Sequence, residues 1–113
     1  MQKIEAIIRP ERVDAVKEAL SEAGFVGLNV VGVSGRGRQK GIIYQGRAGE
    51  KRTIEMLPKA KLEIVVRDED SERALGLILL AARTGEIGDG KVFVTPVAEA
   101  IRVRTGERGP DVL

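Results

Sequence analysis

The chain has 113 residues, enough for one domain and too few for two. It contains neither Cys nor His, which excludes disulfides, thiolate and imidazole metal sites, phosphohistidine chemistry and every Ser-His or Cys-His relay. Its 19 Lys and Arg are interspersed with 17 Asp and Glu, too small a basic excess for a nucleic-acid footprint.

Hydrophobic residues make up 42% of the chain, but the only aromatics are Phe25, Tyr44 and Phe93, so the core must be aliphatic. A domain this small buries a modest fraction of its unfolded surface and gains stability by association. No run of about 18 apolar residues is present and no basic-led apolar stretch opens the sequence, so membrane insertion is not expected and a cytoplasmic location is.

Residues 1–9 alternate as a half-buried strand does, with Ile4, Ala6 and Ile8 on one side. Pro10 suits a first helical position, and residues 11–23 read as a helix whose apolar stripe is Val13, Val16 and Leu20, ended by Gly24. Residues 28–34, rich in Val, read as a second strand. A polar stretch punctuated by Gly35, Gly37, Gly41, Gly46 and Gly49 then runs to Pro58. A loop of about 22 residues is unusual inside a compact domain unless it has a task.

Residues 59–67 read as a third strand with Leu62, Ile64 and Val66 on one face. Asp68 to Ser71 offer N-cap oxygens to a helix over 72–83, whose stripe is Ala74, Leu75, Ile78, Leu79 and Ala82. A glycine-rich turn over 84–90 precedes a fourth strand over 91–97. Residues 100–104 read as a short fifth strand, and the tail from about 105 to 113 as mobile. The order β-α-β, long loop, β-α-β predicts an α+β, ferredoxin-like sheet with both helices on one face. Ile7 and Val65 make the other face apolar too, which calls for cover by another subunit.

Three constellations carry candidate chemistry. In Gly35-Arg36-Gly37-Arg38-Gln39-Lys40-Gly41, glycines admit close backbone approach while Arg38 and Lys40 suit phosphate or carboxylate. This is neither a P-loop nor a dinucleotide motif, and spacing alone leaves a plain basic strand end equally open. In Thr84-Gly85-Glu86-Ile87-Gly88-Asp89-Gly90-Lys91, three glycines let N–H groups converge. Lys91 could meet phosphate, and Asp89 a hydroxyl or Mg²⁺; an ordinary turn remains the alternative. On a strand, Arg102 and Arg104 would project to one side, as two forks suited to polyphosphate or as a solvated face.

Taken together and in order, these segments resemble the PII family of signal transduction proteins over nearly the whole chain. Residues 3–10 (Lys-Ile-Glu-Ala-Ile-Ile-Arg-Pro) are similar to its opening strand and residues 35–41 to the entry of its T-loop. Leu57-Pro58-Lys59 is similar to the loop exit, residues 84–91 to its B-loop, and Ile101-Arg102-Val103-Arg104-Thr105-Gly106-Glu107 to its C-terminal signature. The resemblance implies one domain with a T-loop at about 37–58, assembled as a trimer with ATP or ADP between neighbouring subunits.

It further implies that Gly88, Asp89, Gly90 and Lys91 hold phosphates with Arg102 and Arg104 of the neighbour, and that Arg38 reaches them too. Ile7, Val65, Gly35 and Gly37 would line the cleft, and Asn29 and Thr84 would fix the adenine. With Mg²⁺ and ATP bound, Gln39 would contribute to a metal and 2-oxoglutarate site. Lys59 would pair with the 2-oxoglutarate carboxylate near Arg9, Lys40, Gly41 and Gly88. Such a protein is a sensor and not an enzyme, regulating nitrogen-metabolism targets such as an ammonium channel, glutamine synthetase or nitrogenase. The alternatives are a divergent sensor of another metabolite and a nucleotide-dependent enzyme on the same fold.

One departure stands out. The family's modifiable apex Tyr is replaced here by Glu50-Lys51-Arg52-Thr53, the only tyrosine is Tyr44, and residues 36–58 hold no Ser. Covalent modification at the usual place is therefore not expected, and Arg47, Lys51 and Arg52 give the apex a basic character suited to choosing a partner.

Overall fold

A computed structural model describes residues 1–37, 43–45, 51–53 and 56–113. Strand β1 is Gln2–Ile8, α1 is Val13–Glu22 after a 3-10 turn at Pro10–Arg12, and β2 is Asn29–Gly35. Two short strands, β3 (Ile43–Gln45) and β4 (Lys51–Thr53), pair antiparallel with Tyr44 opposite Arg52, forming a separate ribbon within the long loop. Strand β5 is Leu57–Val66, a 3-10 turn at Asp68–Asp70 leads into α2 (Ser71–Ala82), and β6 is Gly90–Pro96.

The main sheet has the order β2-β5-β1-β6, all pairs antiparallel, with Ile4 opposite both Ile64 and Val94. This is the ferredoxin-like arrangement expected from the element order. Alternation along β1 and β5 sends Ile4, Ala6, Ile8, Leu62, Ile64 and Val66 toward the helices, where they meet Val16, Leu20, Ala74, Ile78 and Ala82 in one aliphatic core. Each large side chain buried there contributes about 1.5–3 kcal/mol over its exposed state. The opposite, open face carries Lys3, Glu5, Ile7, Lys61, Glu63 and Val65, with Lys61 within 3.8 Å of Glu5 and 3.7 Å of Glu63.

Helix α1 ends as its Gly24 predicts. Gly24 takes a φ of 91° and the Phe25 N–H returns to the Leu20 carbonyl at 2.9 Å, a Schellman-type closure. The start of α2 differs from expectation, because no side chain caps it. Asp68 instead pairs with the N-terminal amine at 2.9 Å, and Asp70 with Arg73. Leu79, expected in the α2 stripe, stays exposed and borders a groove with Val92, Phe93 and Val94.

The expected fifth strand does not form. Ile101 makes a single bridge to Arg108, and residues 103–105 turn, closed by a Gly106 N–H to Arg102 carbonyl bond of 2.7 Å. Gly106 at φ 72° permits that reversal, so the parallel display of Arg102 and Arg104 expected of a strand is absent. Instead of trailing away, the tail takes a defined course. Val97 bonds back to Met1 at 2.9 Å, Pro110–Val112 forms a 3-10 turn, and Asp111 pairs with Arg67.

Candidate functional site

The site forms where β1 ends and β6 begins. The pair Ile8↔Gly90 sets Arg9, just beyond the strand, beside the 84–90 turn. Gly90 is obligatory there. Its φ is 100°, and a Cβ would lie 1.7 Å from the Ile7 carbonyl oxygen. Gly85 and Gly88, at φ 91° and 105°, supply the other left-handed positions that let the turn fold back on itself.

Asp89 is the centre of this turn. One carboxylate oxygen accepts from Arg9 Nε at 3.0 Å and from the Thr84 hydroxyl; the other accepts from the N–H groups of Thr84 at 2.8 Å and Gly85 at 2.9 Å. The Thr84 hydroxyl and N–H, with the Gly85 N–H and the Arg9 guanidinium, hold its carboxyl far below the ordinary carboxylate range. Arg9 also donates from Nη2 to the Ile87 carbonyl at 2.9 Å, and Lys59 Nζ donates to the Gly88 carbonyl at 2.7 Å. Burial, and then the neighbouring Arg9 charge, lower the Lys59 pKa.

Against this turn lies a cleft of about 720 Å³ lined by Ile7, Gly35, Gly37, Lys59, Gly88, Gly90 and Lys91 together with Arg36, Leu57, Ile87 and Phe93. Lys59, Lys91 and Arg36 give it cationic walls, and the positive-φ glycines admit an approaching anion to the backbone. Leu57 and Ile87 stood within the quoted motifs without a site role, and Phe93 was not placed at the site at all. Phe93 was accessible to that reading, since it lies two residues beyond Lys91 on the same face of one strand.

The other candidate residues lie elsewhere. Asn29 and Val65 line a second cleft of about 530 Å³, with Phe25, Val26, Val112 and Leu113. Asn29 pairs with Glu63 and Val65 with Lys3, which places both on the open sheet face, Asn29 level with the middle of β1 and Val65 near its start. Asn29 and Thr84, expected on one adenine, are thus apart on the same chain. Arg102 and Arg104 belong to the C-terminal turn beyond β6, where Arg102 pairs with Glu107 at 3.0 Å. Arg38, Gln39, Lys40 and Gly41, like Arg47, fall outside the described residues. Among the described residues no group of three or more carboxylates could hold a metal, and no helix is long and apolar enough to cross a membrane.

Fold and site together define a small α+β domain with a glycine turn and a cationic cleft beside it. A family model described as Nitrogen regulatory protein P-II matches residues 1–107. Curated relatives named "Nitrogen regulatory protein P-II" are similar over 100% of both chains: 52% identity in Azospirillum brasilense, 51% in Cereibacter sphaeroides and 51% in Nostoc punctiforme. The chain belongs to the nitrogen regulatory protein P-II family.

Proposed function

We propose that this chain is a non-enzymatic sensor that binds ATP or ADP between neighbouring copies of a trimer, adds 2-oxoglutarate when Mg²⁺ and ATP are bound, and signals through its long loop. One observation carries the reading. The candidate nucleotide residues fall into two groups: Ile7, Gly35, Gly37 and residues 88–91 at the glycine turn, Asn29 and Val65 in the second cleft. Six register steps along β2 separate Gly35 from Asn29, about 20 Å by strand rise. A phosphate seated on the glycine turn would lie far from Asn29 of the same chain, whereas a head-to-tail neighbour would bring its own second group to that turn, and a rotation that closes makes a ring. Arg102 and Arg104 follow β6, whose last pair is Pro96 with Gln2, at the end of that strand away from the glycine turn, from which a neighbour could supply them.

Lys91 and the glycine turn would then meet phosphates, with Arg38 from the loop entry. Mg²⁺ keeps several waters and leans on phosphate oxygens, which suits a site with no carboxylate cluster among its described residues; Gln39 would add an amide oxygen. Lys59, which lines the cleft, would take a 2-oxoglutarate carboxylate, with Arg9, Lys40 and Gly41 nearby. A dicarboxylate that orders the loop would shift which partners bind it, by linkage. Residues 36–56 hold six Lys or Arg against two Glu, which favours an acidic partner surface. Nothing at the apex invites the usual tyrosine modification, so mass spectrometry of native material should find an unmodified loop.

The test is complementation. Lys91→Ala and Arg104→Ala should each weaken Mg-ATP binding in calorimetry. Trimers mixed from the two variants should regain a fraction of full-affinity sites, because some interfaces then pair an intact Lys91 with an intact Arg104. A monomer in light scattering, or mixtures no better than their parents, would sink the reading.

A further inference from the structure

The resemblance puts Asp89 among the phosphate contacts and Arg9 among those for 2-oxoglutarate. The geometry points elsewhere for both. An ionised carboxylate offers about four lone-pair directions. In Asp89 four donors take them: Arg9 Nε, the Thr84 hydroxyl, and the N–H groups of Thr84 and Gly85. No acceptor direction remains for a metal ion or a ligand hydroxyl, and a carboxylate repels phosphate.

Arg9 directs two of its five N–H donors into the same turn. It bridges Asp89 to the Ile87 carbonyl, with its side chain only 15% exposed and that of Asp89 24%. The Gly88 carbonyl is held separately by Lys59. In a trans peptide the C=O and N–H point opposite ways. Fixing the carbonyls of Ile87 and Gly88 therefore fixes the direction of the Gly88 and Asp89 N–H groups as well.

We infer that Arg9, Asp89 and Thr84 are positioning residues that hold the 84–90 turn in its binding course before any ligand arrives, with the Asp89 carboxylate making no ligand contact. The physical need is plain. Three of the seven residues from 84 to 90 are glycines at positive φ, and glycine loses more conformational freedom on ordering than any other residue. Without the network that cost would fall on ligand binding and weaken it; with it, the turn is preorganised. The lowered Asp89 pKa is in keeping with a carboxylate that stays ionised throughout.

The inference rests on the proposed nucleotide reading of the same cleft, and the experiment separates the two. Amide exchange is measured on the ligand-free protein, and Mg-ATP binding by calorimetry, for wild type, Asp89→Asn and Thr84→Val. Thr84→Val removes one donor and keeps both amides, so it remains informative if Asp89→Asn folds poorly.

In wild type, the Thr84 and Gly85 amides should be protected without ligand. Asp89→Asn should expose them at least tenfold and weaken Mg-ATP at least tenfold, and Thr84→Val should cost a few-fold in both. Arg9→Gln combined with Asp89→Asn should bind no worse than Asp89→Asn alone, because the groups act as a unit. Affinity lost with protection retained would make the Asp89 carboxylate a ligand contact and overturn the inference. Protection lost with affinity unchanged would overturn it from the other side. A wild type with protected amides but no adenine-nucleotide binding removes the proposed function instead.

Discussion

The two halves of the fold follow one plan and differ in one loop. Arg9 after β1 and Arg67 after β5 occupy the same extended position before a 3-10 turn, with ψ of 136° and 153°. Arg12, at the entry to α1, donates to the Ala81 carbonyl at 2.8 Å, and Arg73, early in α2, donates to the Ala23 carbonyl at 2.9 Å, so each half closes the other's helix. The loops that follow part company. The α1–β2 loop, residues 23–28, leaves Val26 91% exposed and is held by its backbone closure on α1, by Phe25 and Leu28 against the core, and by the Arg73 guanidinium 4.5 Å over the Phe25 ring. The α2–β6 loop is tied by Arg9, Thr84, Asp89 and Lys59. Three positive-φ glycines and a handful of side chains turn one connection into a candidate binding site.

The largest effect should come from glycines that look alike in sequence. Gly24 and Gly90 both take positive φ at the two ends of this comparison. Gly24→Ala meets nothing within 4 Å and should cost only the left-handed penalty, about 1–2 kcal/mol. Gly90→Ala would drive a Cβ into the Ile7 carbonyl and separate β1 from β6. It should cost at least about 3 kcal/mol in urea unfolding or prevent folding. Equal costs would mean that the two loops are equivalent after all.

That asymmetry also marks how much the sequence disclosed. Period-two alternation placed β1 and β5 because one face of each is buried and the other is not. The edge strands β2 and β6 were legible from Val content and flanking glycines, although they are exposed along most of their length. Residues 100–104 misled because alternation of Ile, Val and Arg is shared by strands and by turns whose apolar side chains stay outside; Val103 is fully exposed. Candidate site residues were legible as types. Their division between two clefts follows from register, which no local pattern encodes. The saturation of Asp89 depends on Arg9, 80 residues away in sequence, and could not have been read from spacing.

The helix-closing arginines offer the next test. Arg12 is half-buried and places two nitrogens on Ala81, so Arg12→Ala should cost about 1.5–3 kcal/mol, the range for a hydrogen bond to a charged group. Arg73 is half-exposed, and Arg73→Ala should cost about 1 kcal/mol from the lost carbonyl bond and ring contact. Reversal of that order in thermal or urea melts would show that the α1–β2 side is the more tightly closed one.

Acid should single out the α2–β6 loop. The Asp89 carboxyl is depressed in the folded state, chiefly by Thr84, so between its folded value and the ordinary 3.8 the unfolded chain binds a proton that the folded chain does not. Its stabilisation is full above about pH 5 and is lost as pH falls through the folded value. Urea midpoints taken from pH 6 to pH 3 should drop in wild type, and drop less in Asp89→Asn. Identical slopes would mean that the network contributes nothing to folding.

The counterpart of Arg9 should matter least. Arg67 meets Asp111 at 2.6 Å, closer than Arg9 meets Asp89, yet the side chains are 40% and 90% exposed. Distance alone would rank this pair as the stronger. Solvent screening and the entropy of holding two exposed side chains reverse the ranking. Asp111→Asn should leave the urea midpoint unchanged within error at 0.5 M salt, and Mg-ATP affinity unchanged as well. A clear loss of nucleotide binding in Asp111→Asn would instead make the docked tail, beside Asn29 and Val65 in the second cleft, part of the ligand site. The contrast between a candidate binding loop and a tail that merely packs would then no longer hold.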